Sequence, residues 1–409
     1  MTYLRHLECF RCARTFPPAR QFEGCPACAA GGPSNLFCVY DYQSLKKSFS
    51  KTTLQGRSPC MWRYLELLPV GEEHVVSLHE GMTPLIHCPR LGRRYGLKRL
   101  YVKDESRNPT WSFKDRLASA GASKAREMGC HVLAVASTGN AGAATAAYAA
   151  RAGLQANIFT TADMPLAMRV LMQSYGARVY AVPTMADRWQ MVQRGVEERG
   201  WFPVQNFMVP PLGANPYSLD GAKTVGFELC EQLGWNPPDV VVAPVTVGDL
   251  PVGAWRGFLE FREMGLVDRV PRMVAAEVFG SLSNALTKGL DHTESMPTRP
   301  TVAVSAGAAN STYQCLRMVR DTGGTAVVAS DEEIMAAQLE LAETEGIYAE
   351  ASSTLALAAL KKLAASGAVR EDEVVVALLT STGLKDPEVT RSRLSEIPIV
   401  DPKTFDFGF

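Results

Sequence analysis

The sequence has no excess of charge of either sign, because 42 lysines and arginines balance 42 aspartates and glutamates. A neutral chain lacks the overall basic field of many nucleic-acid-binding proteins, so we expect no nucleic-acid partner. No apolar run reaches the roughly 18 residues that span a bilayer, and the start MTYLRHLECFRC has no apolar signal-peptide core. These absences favour a cytoplasmic protein without a membrane partner.

Cysteines are also few, with ten in 409 residues, which does not suggest a secreted disulfide scaffold. No GxGxxG motif follows a strand-like run, so a dinucleotide-binding dehydrogenase lacks support. The length exceeds what one ordinary hydrophobic core serves, and two or three domains are expected.

Four of the cysteines form two closely spaced pairs near the N-terminus, namely Cys9 with Cys12 and Cys25 with Cys28. Each Cys-x2-Cys pair can bind one ion from a tight turn, and two pairs complete a tetrahedral thiolate site. The segment between them is too short and too rich in turn residues to fold without metal. The spacing therefore predicts a structural zinc site in a small ribbon. The alternatives are four unrelated reduced thiols or a vestigial site.

From about residue 95, short β-branched runs alternate with alanine-rich helical stretches. This alternation predicts mostly parallel sheets covered by helices. The predicted strands are 98–105, 131–137, 155–161, 178–183, 239–245, 272–278 and 373–380, and the predicted helices are 112–129, 140–154, 165–177, 252–264, 331–346 and 353–367. Ser112 is the predicted N-cap of the first of these helices. The fold class is α/β, with two open, mostly parallel-sheet domains after the ribbon and the segment 198–222 as a candidate connection.

The stretch NPTWSFKDR, residues 108–116, places Lys114 at the start of a predicted helix. A cation is unfavourable at that end of the helix dipole, so a functional reason is plausible. A lysine that is buried there has a lowered pKa and becomes a nucleophilic amine. The alternative is an ordinary solvated lysine, and spacing alone favours that alternative.

Three further stretches place small or polar residues where a predicted strand ends. Residues 137–142 begin a helix whose free N–H groups can bind a carboxylate or phosphate, with Asn140 able to bond a ring hydroxyl. Residues 247–250 resemble a phosphate-binding turn, in which Asp249 would repel the phosphate if it pointed inward. Residues 380–382 carry three hydroxyls at a strand end, where ligands bind in open α/β sheets. Tight packing turns or polar turns are the alternatives for all three.

These stretches occur together, in this order, in one family. EGMTPL (80–85) is similar to EGxTPL, NPTWSFKDR to NPTGSFKDR, NPYSLDGAKT (215–224) to NPYRxEGxKT, EGIYAEASST (345–354) to EGIxxEPASA, and LLTSTGLKD (378–386) to LTGxGLKD. The sequence resembles threonine synthase and its relatives, the fold-type-II enzymes that use pyridoxal 5′-phosphate (PLP). The resemblance covers nearly the whole chain and includes an N-terminal zinc ribbon with YDY (40–42).

The resemblance implies a role for each site residue. Lys114 is expected to form the Schiff base with PLP and to move protons at the substrate Cα. Phe113 is expected to lie against the cofactor, Asn140 to bond its phenolic oxygen, and Thr380 to face its pyridine nitrogen. Substrate carboxylate binding is expected from Ser137, Thr138, Gly139 and Ala141. Cofactor phosphate binding is expected from Val247, Gly248, Asp249 and Leu250.

The resemblance also implies an architecture similar to the tryptophan synthase β-subunit. Residues 1–45 are the expected zinc ribbon, residues 100–215 the smaller α/β domain with the cofactor lysine, and residues 46–99 with 216–400 the larger PLP-binding domain. The implied partners are a small amino-acid substrate and a second copy of the chain in a homodimer.

The leading functional interpretation is conversion of O-phospho-L-homoserine and water to L-threonine and phosphate. One alternative is β-elimination or β-replacement on a serine-, threonine- or phosphoserine-like substrate, as in dehydratases and cysteate synthase. Another is a non-catalytic zinc-ribbon interaction protein on a PLP scaffold. The chain differs from the family pattern in four places. Trp111 replaces glycine and is expected to add bulk at the site, and Ser381 also replaces glycine. VTVGDL (245–250) replaces a glycine-rich run, and no lysine occurs near Met168. The candidate phosphate-binding cations are Arg169, Arg116 and Lys103.

Overall fold

The computed structural model describes residues 2–405 of the chain. The strands are β1 (Leu4–Cys9), β2 (Thr15–Phe16), β3 (Leu36–Tyr40), β4 (Leu85–His87), β5 (Arg99–Asp104), β6 (Val132–Ala136), β7 (Gln155–Thr160), β8 (Arg178–Ala181), β9 (Phe202–Pro203), β10 (Val240–Pro244), β11 (Arg272–Glu277), β12 (Ala326–Val328) and β13 (Val374–Leu379). The α-helices are α1 (Tyr42–Ser48), α2 (Pro89–Tyr95), α3 (Lys114–Glu127), α4 (Asn140–Ala152), α5 (Leu166–Ser174), α6 (Met185–Arg199), α7 (Pro216–Ala222), α8 (Thr224–Gln232), α9 (Asp249–Glu263), α10 (Ser281–Lys288), α11 (Tyr313–Asp321), α12 (Asp331–Glu345), α13 (Ala351–Ala365) and α14 (Pro387–Arg391). Within residues 2–405, no helix is long and apolar enough to cross a bilayer.

The strands form three sheets. A small antiparallel sheet has the order β2-β1-β3 and makes up the N-terminal ribbon. A six-stranded sheet has the order β12-β11-β10-β13-β5-β4 and is parallel except for β4, which runs antiparallel to β5. A four-stranded sheet, β8-β7-β6-β9, is parallel throughout. The predicted α/β class, with two mostly parallel sheets after a small ribbon, is confirmed.

The composition of the central strands explains why they lie inside. Strands β10 (VVVAP) and β13 (VVVALL) are nearly continuous apolar runs, as is typical of parallel strands covered on both faces. Helix α4 consists largely of alanine and glycine and packs closely on α3. A Cβ atom at Gly142 would lie 2.5 Å from the terminal methyl of Met172, so a larger residue there would require that side chain to shift.

Two helix starts differ from the sequence prediction. Ser112 is not the N-cap of α3: that position is occupied by Phe113, which has no side-chain cap bond. The backbone of Ser112 instead pairs with Ser381, just beyond β13, and this tertiary pairing decides where the helix begins. Helix α9 was predicted from residue 252 but begins at Asp249, which brings the candidate phosphate turn directly onto its N-terminus.

The predicted smaller domain begins at residue 100, whereas strand β5 (Arg99–Asp104) pairs with β13 in the six-stranded sheet. The predicted connection, 198–222, contains strand β9 of the four-stranded sheet and helix α7. Apart from this strand, the division into 1–45, 100–215, and 46–99 with 216–400 remains a prediction.

A buried ionic network fixes the helix that carries Lys114. Arg116 is fully buried and donates to Glu105 at 2.6 and 2.8 Å and to Glu228 at 2.5 and 2.8 Å. Lys103 donates to the same Glu228 at 2.6 Å. Both cations are therefore already paired with carboxylates, and the prediction that either one binds a substrate phosphate is wrong.

Candidate active site

A cavity of about 600 Å³ lies at the carboxyl ends of β6, β10 and β13. This is the edge at which open parallel sheets bind ligands. The wall contains all the predicted cofactor- and substrate-binding residues: Phe113, Lys114, Ser137, Thr138, Gly139, Asn140, Ala141, Val247, Gly248, Asp249, Leu250 and Thr380. Four segments that are far apart in sequence are thus brought to one site, although their individual roles remain predictions.

Lys114 is the first residue of α3 and its amine faces this cavity. The Nζ atom donates to Oε1 of Gln205 at 2.9 Å and lies 4.4 Å from the centre of the Phe113 ring. Burial lowers the pKa of the Lys114 amine, and the negative charge of Asp249 opposes part of that shift. A larger neutral fraction at neutral pH makes this amine a better nucleophile.

Two helix N-termini, those of α4 and α9, open into the same cavity. Neither helix has a side-chain cap bond at its start, so N–H groups of each first turn are available to a ligand. At the start of α9, Gly248 has φ +91°, and a Cβ atom there would lie 2.7 Å from the Cys315 side chain. Only glycine fits this turn. Uncapped helix N-termini favour anions, so the starts of α4 and α9 are two candidate anion positions.

Asp249 lies in the first turn of α9 and is buried. One carboxylate oxygen, Oδ1, accepts the N–H of Ala214 at 2.9 Å, while Oδ2 has no hydrogen-bond partner among residues 2–405. Burial raises the pKa of Asp249, and the nearby Lys114 cation lowers it. A raised pKa increases the protonated fraction, which weakens the repulsion between this carboxyl and an anion at the helix start.

The hydroxyl of Thr380 is paired with a second hydroxyl that sequence reasoning missed. Ser353, near the start of α13, lies 2.8 Å from Thr380 Oγ1 and accepts the backbone N–H groups of Thr380 and Ser381 at 3.1 and 2.9 Å. The polar group at the end of β13 is therefore a hydroxyl pair. Ser353 lies in the EGIYAEASST stretch, but the sequence of that stretch does not reveal that Ser353 contacts Thr380.

Arg188 is the cavity cation that the sequence did not reveal. This α6 residue is 5% exposed, lines the cavity, and donates only to atoms of Met185. It forms no direct ion pair with a carboxylate within the described part of the chain. Burial lowers the pKa of its guanidinium, and the nearby Asp163 carboxylate opposes that shift. Arg169, by contrast, is exposed on α5, and Trp111 is 46% exposed and absent from the residues that line the cavity.

The four predicted zinc-binding cysteines come together in the ribbon. Their sulfur atoms all lie within 4.8 Å of one another. The Sγ atoms of Cys9 and Cys28 are 3.8 Å apart, and those of Cys12 and Cys25 are 3.7 Å apart. Four thiols in this arrangement can hold one metal ion in tetrahedral geometry.

The comparisons with known proteins agree with this site. Residues 76–381 match the family of pyridoxal-phosphate-dependent enzymes. A threonine synthase of Methanocaldococcus jannaschii is 37% identical over 96% of this chain and 95% of its own length. A threonine synthase of Methanosarcina acetivorans is 36% identical over 97% and 96%. The chain belongs to the threonine synthase family. As a member of this family, it is a PLP-dependent lyase.

Solved structures support the fold alone. Maize serine racemase matches 76% of this chain and 91% of its own with a TM-score of 0.65 and 22% identity. A threonine deaminase from Solanum lycopersicum matches 76% and 82% with a TM-score of 0.63 and 20% identity.

The cavity suits the cofactor of the threonine synthase family on its own chemistry. PLP carries an aldehyde, a phosphate and polar ring atoms. The cavity offers a buried amine of lowered pKa at Lys114, an uncapped helix start at Gly248, an amide at Asn140 and a hydroxyl at Thr380. When bound, PLP supplies the stabilisation of negative charge at the substrate carbon.

We predict that Asp249→Asn strengthens binding of PLP by several-fold relative to pyridoxal, which lacks the phosphate. The substitution removes a negative charge beside the start of α9 and retains an oxygen for the Ala214 N–H. Titration of the apoenzyme with each compound, followed by visible absorption, measures both affinities. The ratio isolates the phosphate, since a change in the pKa of Lys114 affects both compounds alike. An unchanged or lower ratio contradicts the prediction.

Proposed function

We propose that the protein converts O-phospho-L-homoserine and water to L-threonine and phosphate. The observation that carries this proposal is the buried Arg188 in the wall of the Lys114 cavity. It makes no direct ion pair with a carboxylate in the described residues, although the exposed Asp163 lies near enough to act on its charge. A buried cation without a directly paired anion is costly, and a substrate phosphate would supply that pairing. The names of the M. jannaschii and M. acetivorans relatives point to the same reaction.

In this proposal each group of residues has one task. Lys114 binds the cofactor covalently and afterwards moves protons between substrate carbons. The α9 start, residues 247–250, binds the cofactor phosphate, while Asn140 and Thr380 bond its ring oxygen and ring nitrogen. The α4 start, residues 137–141, receives the substrate carboxylate. A hydroxyl partner leaves the ring nitrogen largely unprotonated, which favours elimination and replacement over transamination.

The substrate is tested by comparing kcat/KM for O-phosphohomoserine with that for free homoserine, serine, threonine and O-phosphoserine. We expect O-phosphohomoserine to be turned over far faster than the others, with threonine and phosphate as products. Borohydride reduction and peptide mapping of the yellow protein should label Lys114, and Lys114→Ala should abolish both label and turnover. A higher kcat/KM for any of the other amino acids contradicts the proposed reaction and favours β-elimination or β-replacement.

Arg188→Gln should lower kcat/KM for O-phosphohomoserine by on the order of a hundredfold, because a charge-assisted contact to the phosphate is lost. Inhibition by inorganic phosphate should weaken in parallel, while the visible absorption of bound PLP stays the same. Arg169→Gln is the matched control, since Arg169 is exposed on the neighbouring helix and should leave all these quantities unchanged. If Arg188→Gln and the wild type have equal kcat/KM for O-phosphohomoserine, the assignment of Arg188 is wrong.

We further propose that Cys9, Cys12, Cys25 and Cys28 bind one structural zinc ion. All four thiols are used, which leaves no open position for catalysis. Elemental analysis should find one zinc per chain, and Cys25→Ser should lose most of it and lower the thermal midpoint. Cys60→Ser, a buried cysteine outside the cluster, should retain the metal. Full zinc content in Cys25→Ser contradicts the site.

The homodimer stays a prediction from the resemblance.

A further inference from the structure

The side chain of Asn140 is hydrogen-bonded to two charged residues, Lys385 and Glu350, from segments beside the six-stranded sheet. Lys385 Nζ donates to the side-chain oxygen of Asn140 at 2.6 Å, and Asn140 Nδ2 donates to Glu350 Oε2 at 2.9 Å. Ser381 Oγ donates to the same amide oxygen at 3.3 Å. Asn140 belongs to α4 beside the four-stranded sheet, whereas its three partners belong to segments that flank the end of β13.

The contact of Lys385 is unusual because its ammonium is directed at a neutral amide. Lys385 is largely buried and forms no ion pair with a carboxylate in the part of the chain that the structure describes. Burial lowers the pKa of Lys385 to about 8, and the nearby Glu350 and Asp115 carboxylates oppose that shift. The amine is therefore still mostly protonated at pH 7 and donates a charge-assisted hydrogen bond.

This arrangement permits only one orientation of the Asn140 amide. Rotation by 180° would place the NH2 group against the Lys385 ammonium, donor against donor, and the oxygen against the Glu350 carboxylate, acceptor against acceptor. In the observed orientation Glu350 uses one of the two N–H bonds, and the other remains for a ligand in the cavity that Asn140 lines. A cation on the amide oxygen also makes that N–H a stronger donor.

We infer that Lys385 and Glu350 are positioning residues that fix the Asn140 amide with one N–H directed to the phenolic oxygen of the bound cofactor. Neither of them is among the residues that line the cavity, so both act through Asn140. The inference rests on the proposed function in one respect, namely that Asn140 contacts PLP. It adds a second layer of residues whose task is to set the strength of that contact.

The test uses the holoenzyme of Lys385→Met, Lys385→Gln and Asn140→Ala, with Lys361→Met, an exposed lysine elsewhere on the surface, as control. The readouts are the visible absorption band of PLP, its dissociation constant and the separate values of kcat and KM. Lys385→Met should weaken PLP binding and lower kcat by on the order of tenfold each, with a shifted band and little change in KM. Lys385→Gln keeps a neutral donor, so its PLP affinity and kcat should lie between those of Lys385→Met and the wild type. Lys361→Met should have the same PLP affinity, absorption band and kcat as the wild type.

The double variant Asn140→Ala/Lys385→Met separates positioning from a general structural role. If Lys385 acts through Asn140, its band shift and its effect on PLP affinity should vanish in the Asn140→Ala background. Equal effects in both backgrounds, or an unchanged band and PLP affinity in folded Lys385→Met, overturn the inference. If Lys385→Met does not fold, the same cycle is measured with Lys385→Gln. The absorption band and the PLP affinity need no substrate, so failure of O-phosphohomoserine turnover with the Lys385 effect on these two quantities intact counts against the proposed function alone.

Discussion

The site depends on the buried pairing of Arg116 with Glu105 and Glu228. Arg116 lies two residues after Lys114 on the first turn of α3, and its two carboxylate partners come from the end of β5 and from α8. All three side chains are fully buried. Removal of one member of such a network leaves a buried charge unpaired, which costs about 3–5 kcal/mol. The network therefore fixes the start of α3, and with it the position and direction of the Lys114 amine in the cavity.

The same region shows why the stretches that resemble family motifs need not touch a ligand. Thr83 of EGMTPL donates to Glu105 at 2.6 Å, and Thr224 of NPYSLDGAKT accepts from Arg116 at 2.8 Å. These two stretches join the framework beneath the helix that carries Lys114. Residues 137–141 and 247–250, together with Thr380, supply the cavity wall above it. The residues of the cavity wall and the residues of the supporting framework are thus separate along the chain, and both sets lie around the first turn of α3.

Much of the fold could be predicted because local patterns determine it. Strands such as β10 and β13 lie within one residue or two of their predicted bounds, since valine-rich runs between helices have few alternatives. The site residues follow from motifs at strand ends. Arg188, Lys385, Glu350 and Ser353 could not be assigned, because each depends on a partner or a cavity formed by residues distant in sequence. Ser112 failed as an N-cap for the same reason, since its backbone pairs with Ser381, 269 positions further on in numbering.

The balance of charge in the cavity explains how one cavity can favour a phosphorylated amino acid. In the proposed complex, the α9 start faces the cofactor phosphate, the α4 start faces the substrate carboxylate, and Arg188 faces the third anion. A free hydroxy amino acid fills the second position and leaves Arg188 buried without a directly paired anion, with only the more distant attraction of Asp163 among the described carboxylates. Discrimination then comes from the cost of that unpaired cation, and a site built to pair a charged group rejects an analogue that lacks it more strongly than a site of matching shape alone.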